Sequence, residues 1–245
     1  MGGFSRIAFT PAVKAAQERR GSRQAYARLD EVSGPDAIGE DEAAFLAERD
    51  SFYMASVGAT GWPYIQHRGG PKGFVVALDP HTLAFADLRG NRQYISVGNV
   101  AEDERVALIF VDYPNRARLK VLARATVLTR EQAPEVFDRV AAPASAEAVF
   151  LLKVEGFDWN CPKHITPRFT EEQIHAAVQP LRDELSDLRR QNAELDRFNR
   201  AAVGRELDMI ELKRRINALS RELGREPPYP LGFLEADDDR KPGAP

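Results

Sequence analysis

Residues 51–75 read SFYMASVGATGWPYIQHRGGPKGFV, and this stretch decides the fold. Two runs rich in aromatic and β-branched residues, Ser51–Val57 and Trp62–His67, flank the tetrapeptide Gly58-Ala-Thr-Gly61. This arrangement predicts a β-hairpin with a four-residue loop. The hairpin begins a sheet, and the glycine- and proline-rich segment behind it leads into a third β-prone run.

The same pattern of short apolar runs, each bounded by Gly, Pro, Asp or Asn, continues as far as residue 157. The further runs are GFVVAL (73–78), TLAFADL (82–88), VALIFVD (106–112), RLKVLARATVL (118–128) and AVFLLKVEGF (148–157). Six or seven short strands at this spacing fit a β-barrel. Helical patterns lie in an N-terminal arm, residues 1–50, and in one insertion at residues 131–141. The sequence therefore predicts a mainly β, α+β barrel domain over residues 51–169.

Charged residues with Leu at helical spacing replace the strand pattern over residues 170–226. Apolar positions there step by four and three, as a and d positions of a coiled coil do. They begin with Leu181, Leu185, Leu188, Asn192 and Leu195. The pattern resumes in a shifted phase at Val203 and again at Leu212. We therefore expect a long C-terminal α-helical coiled coil, followed by an irregular tail over residues 227–245.

Composition excludes several classes of protein. The 245 residues carry a net charge of −3 and a single cysteine, Cys161. One cysteine cannot form an internal disulfide framework or a cysteine-rich zinc site, and the charge argues against nucleic-acid binding. The chain has neither the roughly 18-residue apolar run of a membrane helix nor the apolar segment of a secretory signal. We expect a cytoplasmic protein without a membrane, nucleic-acid or metal partner.

Side chains suited to anion binding cluster in two segments at strand edges. These are Gln66-His67-Arg68-Gly69-Gly70-Pro71-Lys72-Gly73-Phe74 and Gly90-Asn91-Arg92-Gln93-Tyr94. A phosphate monoester needs fixed cationic donors and nearby backbone N–H groups, which glycine makes accessible. Arg68, Lys72 and Arg92 supply cationic donors, and Gln93 supplies a neutral amide donor. The alternative is a surface loop whose basic side chains are simply solvated.

In their order and strand pattern, these segments resemble the FMN-binding split-barrel superfamily related to pyridoxamine 5′-phosphate oxidase. The resemblance covers residues 8–170 and is strongest in YIQHRGGPKGFV, TLAFADLRGNRQYISVGNV and ERVALIFVDYP. It implies a split β-barrel of six to seven strands with FMN as cofactor. The residues it assigns to the cofactor in these segments are Gln66, His67, Arg68, Lys72, Phe85, Ala86, Asn91, Arg92 and Gln93.

Within that set the resemblance implies distinct roles. Arg68 contacts the flavin and its ribityl-phosphate chain, and Arg92 and Gln93 hold the phosphate. Phe85 and Ala86 offer strand backbone beside the ring. The family pattern also implies a turn after the phosphate loop, which corresponds here to Gly98-Asn99-Val100.

The resemblance further implies a homodimer, because a second subunit completes the site in that superfamily. Arg118 stands where a Gln commonly reaches the flavin. A cation there would stabilise the anionic reduced form, and an exposed ion pair is the alternative. Trp159, Asn160 and His164 lie in the segment FDWNCPKHITPR and are candidates for contacts with the ring or a substrate. Core packing of Trp159 and a structural role for His164 are the alternatives.

Three functional hypotheses follow. The first is an FMN-dependent oxidoreductase of unknown substrate, with NAD(P)H or another small molecule as reactant and no side-chain acid or base required. Vitamin B6 oxidation is not expected, because the C-terminal substrate motif of the true oxidases is absent. The second is a non-catalytic redox sensor or adaptor, because the helical extension resembles linker helices of bacterial signalling kinases and offers a surface for a protein partner. The third replaces FMN with haem or a deazaflavin, and His67 and His164 then become candidate ligands.

Overall fold

The computed structural model describes residues 2–31, 34–159 and 163–231. Its contacts divide the chain into two compact units, Met1–Phe169 and Thr170–Pro245. Within the described residues, no helix is both long enough and apolar enough to cross a membrane.

The first unit is built on one antiparallel sheet, to which the described residues contribute seven strands. The strands are β1 (Ser51–Val57), β2 (Pro63–Gly69), β3 (Val76–Asp79), β4 (Thr82–Asp87), β5 (Arg105–Asp112), β6 (Ala117–Leu128) and β7 (Ala148–Trp159). They lie in the order β2-β1-β5-β6-β7-β4-β3. β1 and β2 form the predicted hairpin, with Val57 opposite Pro63.

The larger of two core clusters lies on the inner face of this sheet, where apolar side chains alternate with polar ones along β1 and β5. A second, smaller cluster packs Phe137, from the helix that precedes β7, against Ala84 and Val149. Aromatic rings from four strands meet in the larger cluster. Phe52 lies 5.1 Å from Phe85 and 4.8 Å from Phe110, measured between ring centres. Phe85 stacks on Phe150 at 4.9 Å, and these two residues are also opposite each other in the β4–β7 ladder.

The N-terminal segment packs against this sheet. It contains α1 (Gly2–Ala8), α2 (Pro11–Arg19), α3 (Arg23–Tyr26), a 3₁₀ turn (Ala27–Glu31) and α4 (Glu40–Ala47). The carboxylate of Asp36 accepts hydrogen bonds from the backbone N–H groups of Gly3, Phe4 and Phe157 at 3.0–3.1 Å. The backbones approach so closely that a Cβ atom on Gly156 would lie 2.2 Å from the nitrogen of Phe4. Asp36 and Gly156 therefore fasten α1 to β7.

Two helices interrupt the strands, α5 (Ile95–Glu102) and α6 (Pro134–Arg139). α6 lies inside the predicted helical insertion. The predicted turn at Gly98-Asn99-Val100 was wrong, because these residues lie within α5. Tyr94 precedes the helix with a left-handed backbone (φ 52°) and provides no side-chain cap, so the usual Ser, Thr, Asp or Asn signal for a helix start is missing.

The second unit contains one helix of 52 residues, α7 (Glu171–Glu222). Thr170 and Gln173 form a capping box at its start, where each side chain accepts a hydrogen bond from the other's backbone N–H. Near its end, the Asn217 side chain makes two hydrogen bonds, of 2.8 and 3.1 Å, with the backbone of Tyr229. The structure confirms the predicted α+β split barrel with a long C-terminal helix. Pairing of α7 into a coiled coil stays a prediction.

Candidate functional site

A cavity of about 190 Å³ lies between β2, the end of β4 and the loop that leads into α5. Its lining residues are Gln66, Arg68, Asp87, Leu88, Gly90, Asn91, Arg92, Tyr94, Ser96, Val97 and Glu147. The structure thus brings together four of the predicted cofactor residues, Gln66, Arg68, Asn91 and Arg92. They come from the two separate segments that the sequence singled out.

Arg68 is the most enclosed cation of this cavity. Because side chains alternate along β2, Gln66 and Arg68 share its inward face. The guanidinium of Arg68 forms an ion pair with Asp87 and lies 5.0 Å from the centre of the Phe150 ring. Only 12% of the Arg68 side chain is exposed.

The Nε–H group of Arg68 is buried, and no hydrogen-bond acceptor for it exists among the described residues. A buried donor without an acceptor costs about 1–3 kcal/mol, so such groups in folded proteins usually indicate a missing ligand or water. Arg68 therefore retains unused hydrogen-bonding capacity beside the cavity.

The loop from Asn91 to Tyr94 holds a strained backbone. Arg92 and Tyr94 both have positive φ, 60° and 52°, a region in which side-chain-bearing residues are uncommon. The Asn91 side chain accepts a hydrogen bond from the N–H of Gln93 at 3.2 Å, and Arg92 Nε donates to the Tyr94 hydroxyl at 3.1 Å. This contact with Tyr94 raises the pKa of Arg92. Backbone strain such as the positive φ angles of Arg92 and Tyr94 concentrates at functional sites.

The N-terminus of α5 opens on the same cavity, because Tyr94, Ser96 and Val97 all line it. The first turn contains no acidic residue, so its free N–H groups and the helix dipole favour an anion. Ser96 is buried and donates from Oγ to the Gln66 side chain at 2.8 Å. Gln66 is thereby held against the helix.

Charges around the cavity are unevenly compensated. The carboxylate of Asp87 is neutralised by Arg68, and Glu147 lies 3.8 Å from Arg89. Arg92 forms no ion pair within the part of the chain that the structure describes. Arg92 and the α5 N-terminus therefore give this side of the cavity its positive character.

Phe85 and Ala86 lie in β4, where one edge of the strand is open. β3 pairs only with Thr82, Leu83 and Ala84, whereas β7 pairs with the whole of β4. The Phe85 ring is buried in the core. Its backbone, together with that of Ala86, is the part that a ligand would meet.

Lys72, His67 and Gln93 do not line this cavity. Lys72 is exposed and pairs with Glu48; it borders a second, mainly apolar cleft of about 350 Å³. Leu88 lines both clefts, so they adjoin. His67 lies on the opposite face of β2 from Arg68, with its ring 5.3 Å from that of Tyr53. Gln93 is exposed on the loop.

The remaining predicted residues lie elsewhere in the unit. Trp159 Nε1 donates to Glu42 at 2.7 Å, and its ring packs edge-on against Phe45 in α4. Arg118 lies on β6, and its buried Nε–H likewise has no acceptor in the described residues. His164 has a positive φ of 67° and is exposed. Asn160 lies outside the described residues.

Sequence reasoning missed three features of the cavity: Asp87, Glu147 and the α5 N-terminus. A carboxylate is not an expected neighbour of an anion, so neither acid carried a signal. The presence of Asp87 in a cavity suited to an anion is explained by its ion pair with Arg68. Among the described residues, no cluster of three or more His, Cys, Asp or Glu side chains could hold a metal ion.

Residues 38–158 match the family model described as pyridoxamine 5′-phosphate oxidase. No curated protein matches the chain. Among solved structures, a candidate pyridoxamine 5′-phosphate oxidase of Lactobacillus delbrueckii is 24% identical, with a TM-score of 0.40, and the match covers 50% of this chain and 93% of that one. The Group A Streptococcus protein HupZ is 16% identical, with a TM-score of 0.40, and the match covers 54% of this chain and 99% of HupZ. An FMN-binding protein of Syntrophomonas wolfei is 11% identical, with a TM-score of 0.40, and the match covers 60% of this chain and 97% of that protein.

Proposed function

The chain belongs to the pyridoxamine 5′-phosphate oxidase family, and on that premise we propose that it is an FMN-binding flavoprotein with oxidoreductase activity. The observation that carries the proposal is the convergence of Arg68, Asn91 and Arg92 on one cavity at a helix N-terminus. Backbone N–H groups at a helix N-terminus together with guanidinium donors form a common phosphate site.

The residues present fit a flavin phosphate. The Nε–H of Arg68 lacks an acceptor, and a phosphate or ribityl oxygen in the cavity would supply one. Arg92 forms no ion pair among the described residues, so its guanidinium NH₂ groups can pair with the phosphate, while Asn91 and Gln93 shape the loop that carries it. Asp87 orients Arg68 and removes its surplus charge, so Arg92 and α5 supply the net attraction.

The flavin ring would lie against the open edge of β4, where the backbone of Phe85 and Ala86 is available. From that edge the apolar cleft beside Lys72 continues past Leu88. When bound, FMN supplies the hydride or electron transfer itself. The protein's part is to hold the ring, exclude water from one face and provide donors to its polar edge.

We also propose a homodimer in which the second subunit completes the site. Arg118 is the residue proposed for that contribution, and Trp159, Asn160 and His164 remain proposed contacts with the ring or a substrate. The observation in favour of the homodimer is the buried Nε–H of Arg118, which has no acceptor among the described residues and which a second subunit, a ligand or a water would satisfy. His67, on the outer face of β2, remains a proposed cofactor contact and a candidate ligand if the cofactor is haem.

Identification of the natural ligand tests the assignment of FMN. The purified protein is heated, and the released ligand is identified by mass spectrometry and quantified per chain. We expect FMN at about one per chain. Release of haem or a deazaflavin would show that this molecule, and not FMN, is the natural ligand. A colourless protein that takes up no FMN on titration would contradict the flavin proposal.

A second candidate function, a flavin-based redox sensor or adaptor, is favoured by α7. Leu181, Leu188 and Leu195 are 65%, 55% and 59% exposed on this helix and offer a surface for another protein. Steady oxidation of NAD(P)H by the flavin-loaded protein favours the oxidoreductase. No turnover, combined with a partner retained only by the oxidised or only by the reduced protein, favours the sensor.

A further inference from the structure

The first half of α7 carries one continuous exposed seam. Its residues alternate in spacing between four and three: Ile174, Val178, Leu181, Leu185, Leu188, Asn192 and Leu195. In heptad notation Val178, Leu185 and Asn192 occupy a positions, and the others occupy d positions. Leu181 and Leu185 are 65% and 48% exposed and Val178 is half-buried, so the described residues leave most of this seam uncovered.

The outer positions of this segment carry no large apolar side chain, and two polar pairs run along the helix there. Gln179 pairs with Asp183 at 2.9 Å, and Arg190 pairs with Asp187 at 2.8 Å. Pro180 occupies a c position, which directs its ring away from the seam. All large aliphatic side chains between residues 174 and 195 therefore share one stripe, the width of a coiled-coil contact.

The charges beside the seam distinguish between partners. Glu184 occupies a g position and Arg189 the following e position, on opposite sides of the stripe, and neither forms an ion pair among the described residues. In a parallel, in-register pair, each g residue faces the next e residue of the other helix. Glu184 then meets the partner's Arg189, and the symmetric contact occurs a second time. Antiparallel pairing instead brings e positions together and sets Arg182 and Arg189 against like charges.

Asn192 provides an independent constraint on the register. In a parallel pair, a positions face a positions, so two Asn192 amides meet and hydrogen-bond to each other. In an antiparallel pair, an a residue faces a d residue, which would bury the amide against leucine without a partner. A one-heptad slip would have the same effect.

We propose that residues 174–195 pair with the same residues of a second copy of this chain as a parallel, in-register, two-stranded coiled coil whose register is fixed by Asn192. This heptad phase ends after Leu195, because the next seam positions are Asn199, Ala202 and Glu206; the apolar pattern resumes only in shifted phases, at Val203 and at Leu212. The proposal does not rest on the flavin, since every residue that carries it lies on α7.

Disulfide cross-linking of the full-length protein tests orientation and register. Cys161 is first replaced by Ser, because it is the only native cysteine. Leu181→Cys and Leu195→Cys are then made singly in that background, with Ser186→Cys at an outer b position as the matched control. We expect both seam variants, and not the control, to form covalent dimers on mild oxidation. An antiparallel coil can cross-link at one of these two positions at most. A failure of either seam variant, or equal cross-linking of the control, therefore overturns the proposal.

Three further variants test the residues that set the orientation and the register of the pair. In the Leu195→Cys background, Glu184→Lys should lower the cross-linking yield several-fold, and adding Arg189→Glu should restore it, because the pair is exchanged across the interface. Asn192→Leu should produce species larger than a dimer in light scattering, because the register constraint is removed. If the double variant is no better than the single one, or Asn192→Leu leaves the mass unchanged, the corresponding assignment is wrong.

Discussion

Arg68 and Asp87 form an ion pair at 2.5 Å although their strands, β2 and β4, lie near opposite ends of the sheet order. The contact requires the sheet to curl until its two ends approach each other. The cavity for the proposed phosphate lies at this closure, so the same two side chains that join the ends of the barrel also line the site.

The Arg68–Asp87 pair should behave as a coupled unit. Arg68→Met leaves Asp87 buried without its cation, and we expect it to lower the free energy of unfolding by about 3 kcal/mol. Adding Asp87→Asn should recover most of that loss, because the uncompensated charge is removed. Urea denaturation of the flavin-free variants measures both. Additive losses in the double variant would show that the pair is not coupled.

Arg92 should contribute to cofactor affinity without contributing to the fold. Removing one charge-assisted hydrogen bond costs about 1.5–3 kcal/mol, so Arg92→Ala should weaken FMN binding about 10- to 100-fold. Arg105→Ala is the matched control, since this exposed arginine pairs with Asp103 and lies outside the cavity. Flavin fluorescence titration gives both affinities, and equal effects of the two substitutions would refute the role of Arg92.

The junction between α1 and β7 should tolerate no side chain at Gly156. A Cβ there would lie 2.2 Å from the nitrogen of Phe4, so Gly156→Ala must displace α1 or the strand, and we expect a loss of more than about 2 kcal/mol. Gly98→Ala in α5 meets no atom within 4 Å and should stabilise the protein by about 0.5–1 kcal/mol. Thermal unfolding distinguishes them, and a neutral Gly156→Ala would contradict the close approach.

Asp36 should make stability depend on acid pH. Burial acts to raise the pKa of its carboxyl, but the hydrogen bonds that the carboxylate accepts, among them those from Gly3, Phe157 and Phe4, together outweigh burial and lower the pKa below 3.8. The stabilisation is therefore complete above the unfolded pKa and is lost as the pH falls through the folded one. We expect Asp36→Asn to cost about 1–3 kcal/mol at neutral pH. This difference from the wild type should shrink below about pH 4, and a pH-independent difference in urea unfolding would contradict this role.

Strand positions could be read from the sequence because their signals are local. Ser51–Val57 coincides with β1, since period-two alternation and the flanking Gly58 mark both its face and its end. The α5 helix could not be read, because Tyr94 enters it with a left-handed backbone in place of a capping side chain. The positive end of α5, which lies beside the loop from Asn91 to Tyr94, was missed for the same reason.

Adjacent residues in the predicted site separate for a physical reason. His67 and Arg68 are neighbours in sequence, but the pleat of β2 directs them to opposite faces. Trp159 contacts Glu42 and Phe45, more than a hundred positions earlier in the chain, and no local pattern encodes such a contact. The roles of these residues toward a cofactor remain predictions.

The affinities of the flavin-free protein for FMN and for riboflavin isolate the contribution of the phosphate, because the two ligands differ only in that group. If the cavity around Arg68 and Arg92 holds that phosphate, FMN should bind at least about 100-fold more tightly, from two or more charge-assisted hydrogen bonds. This preference should largely disappear in Arg92→Ala. Equal affinity for the two flavins, or binding of neither, would contradict the account.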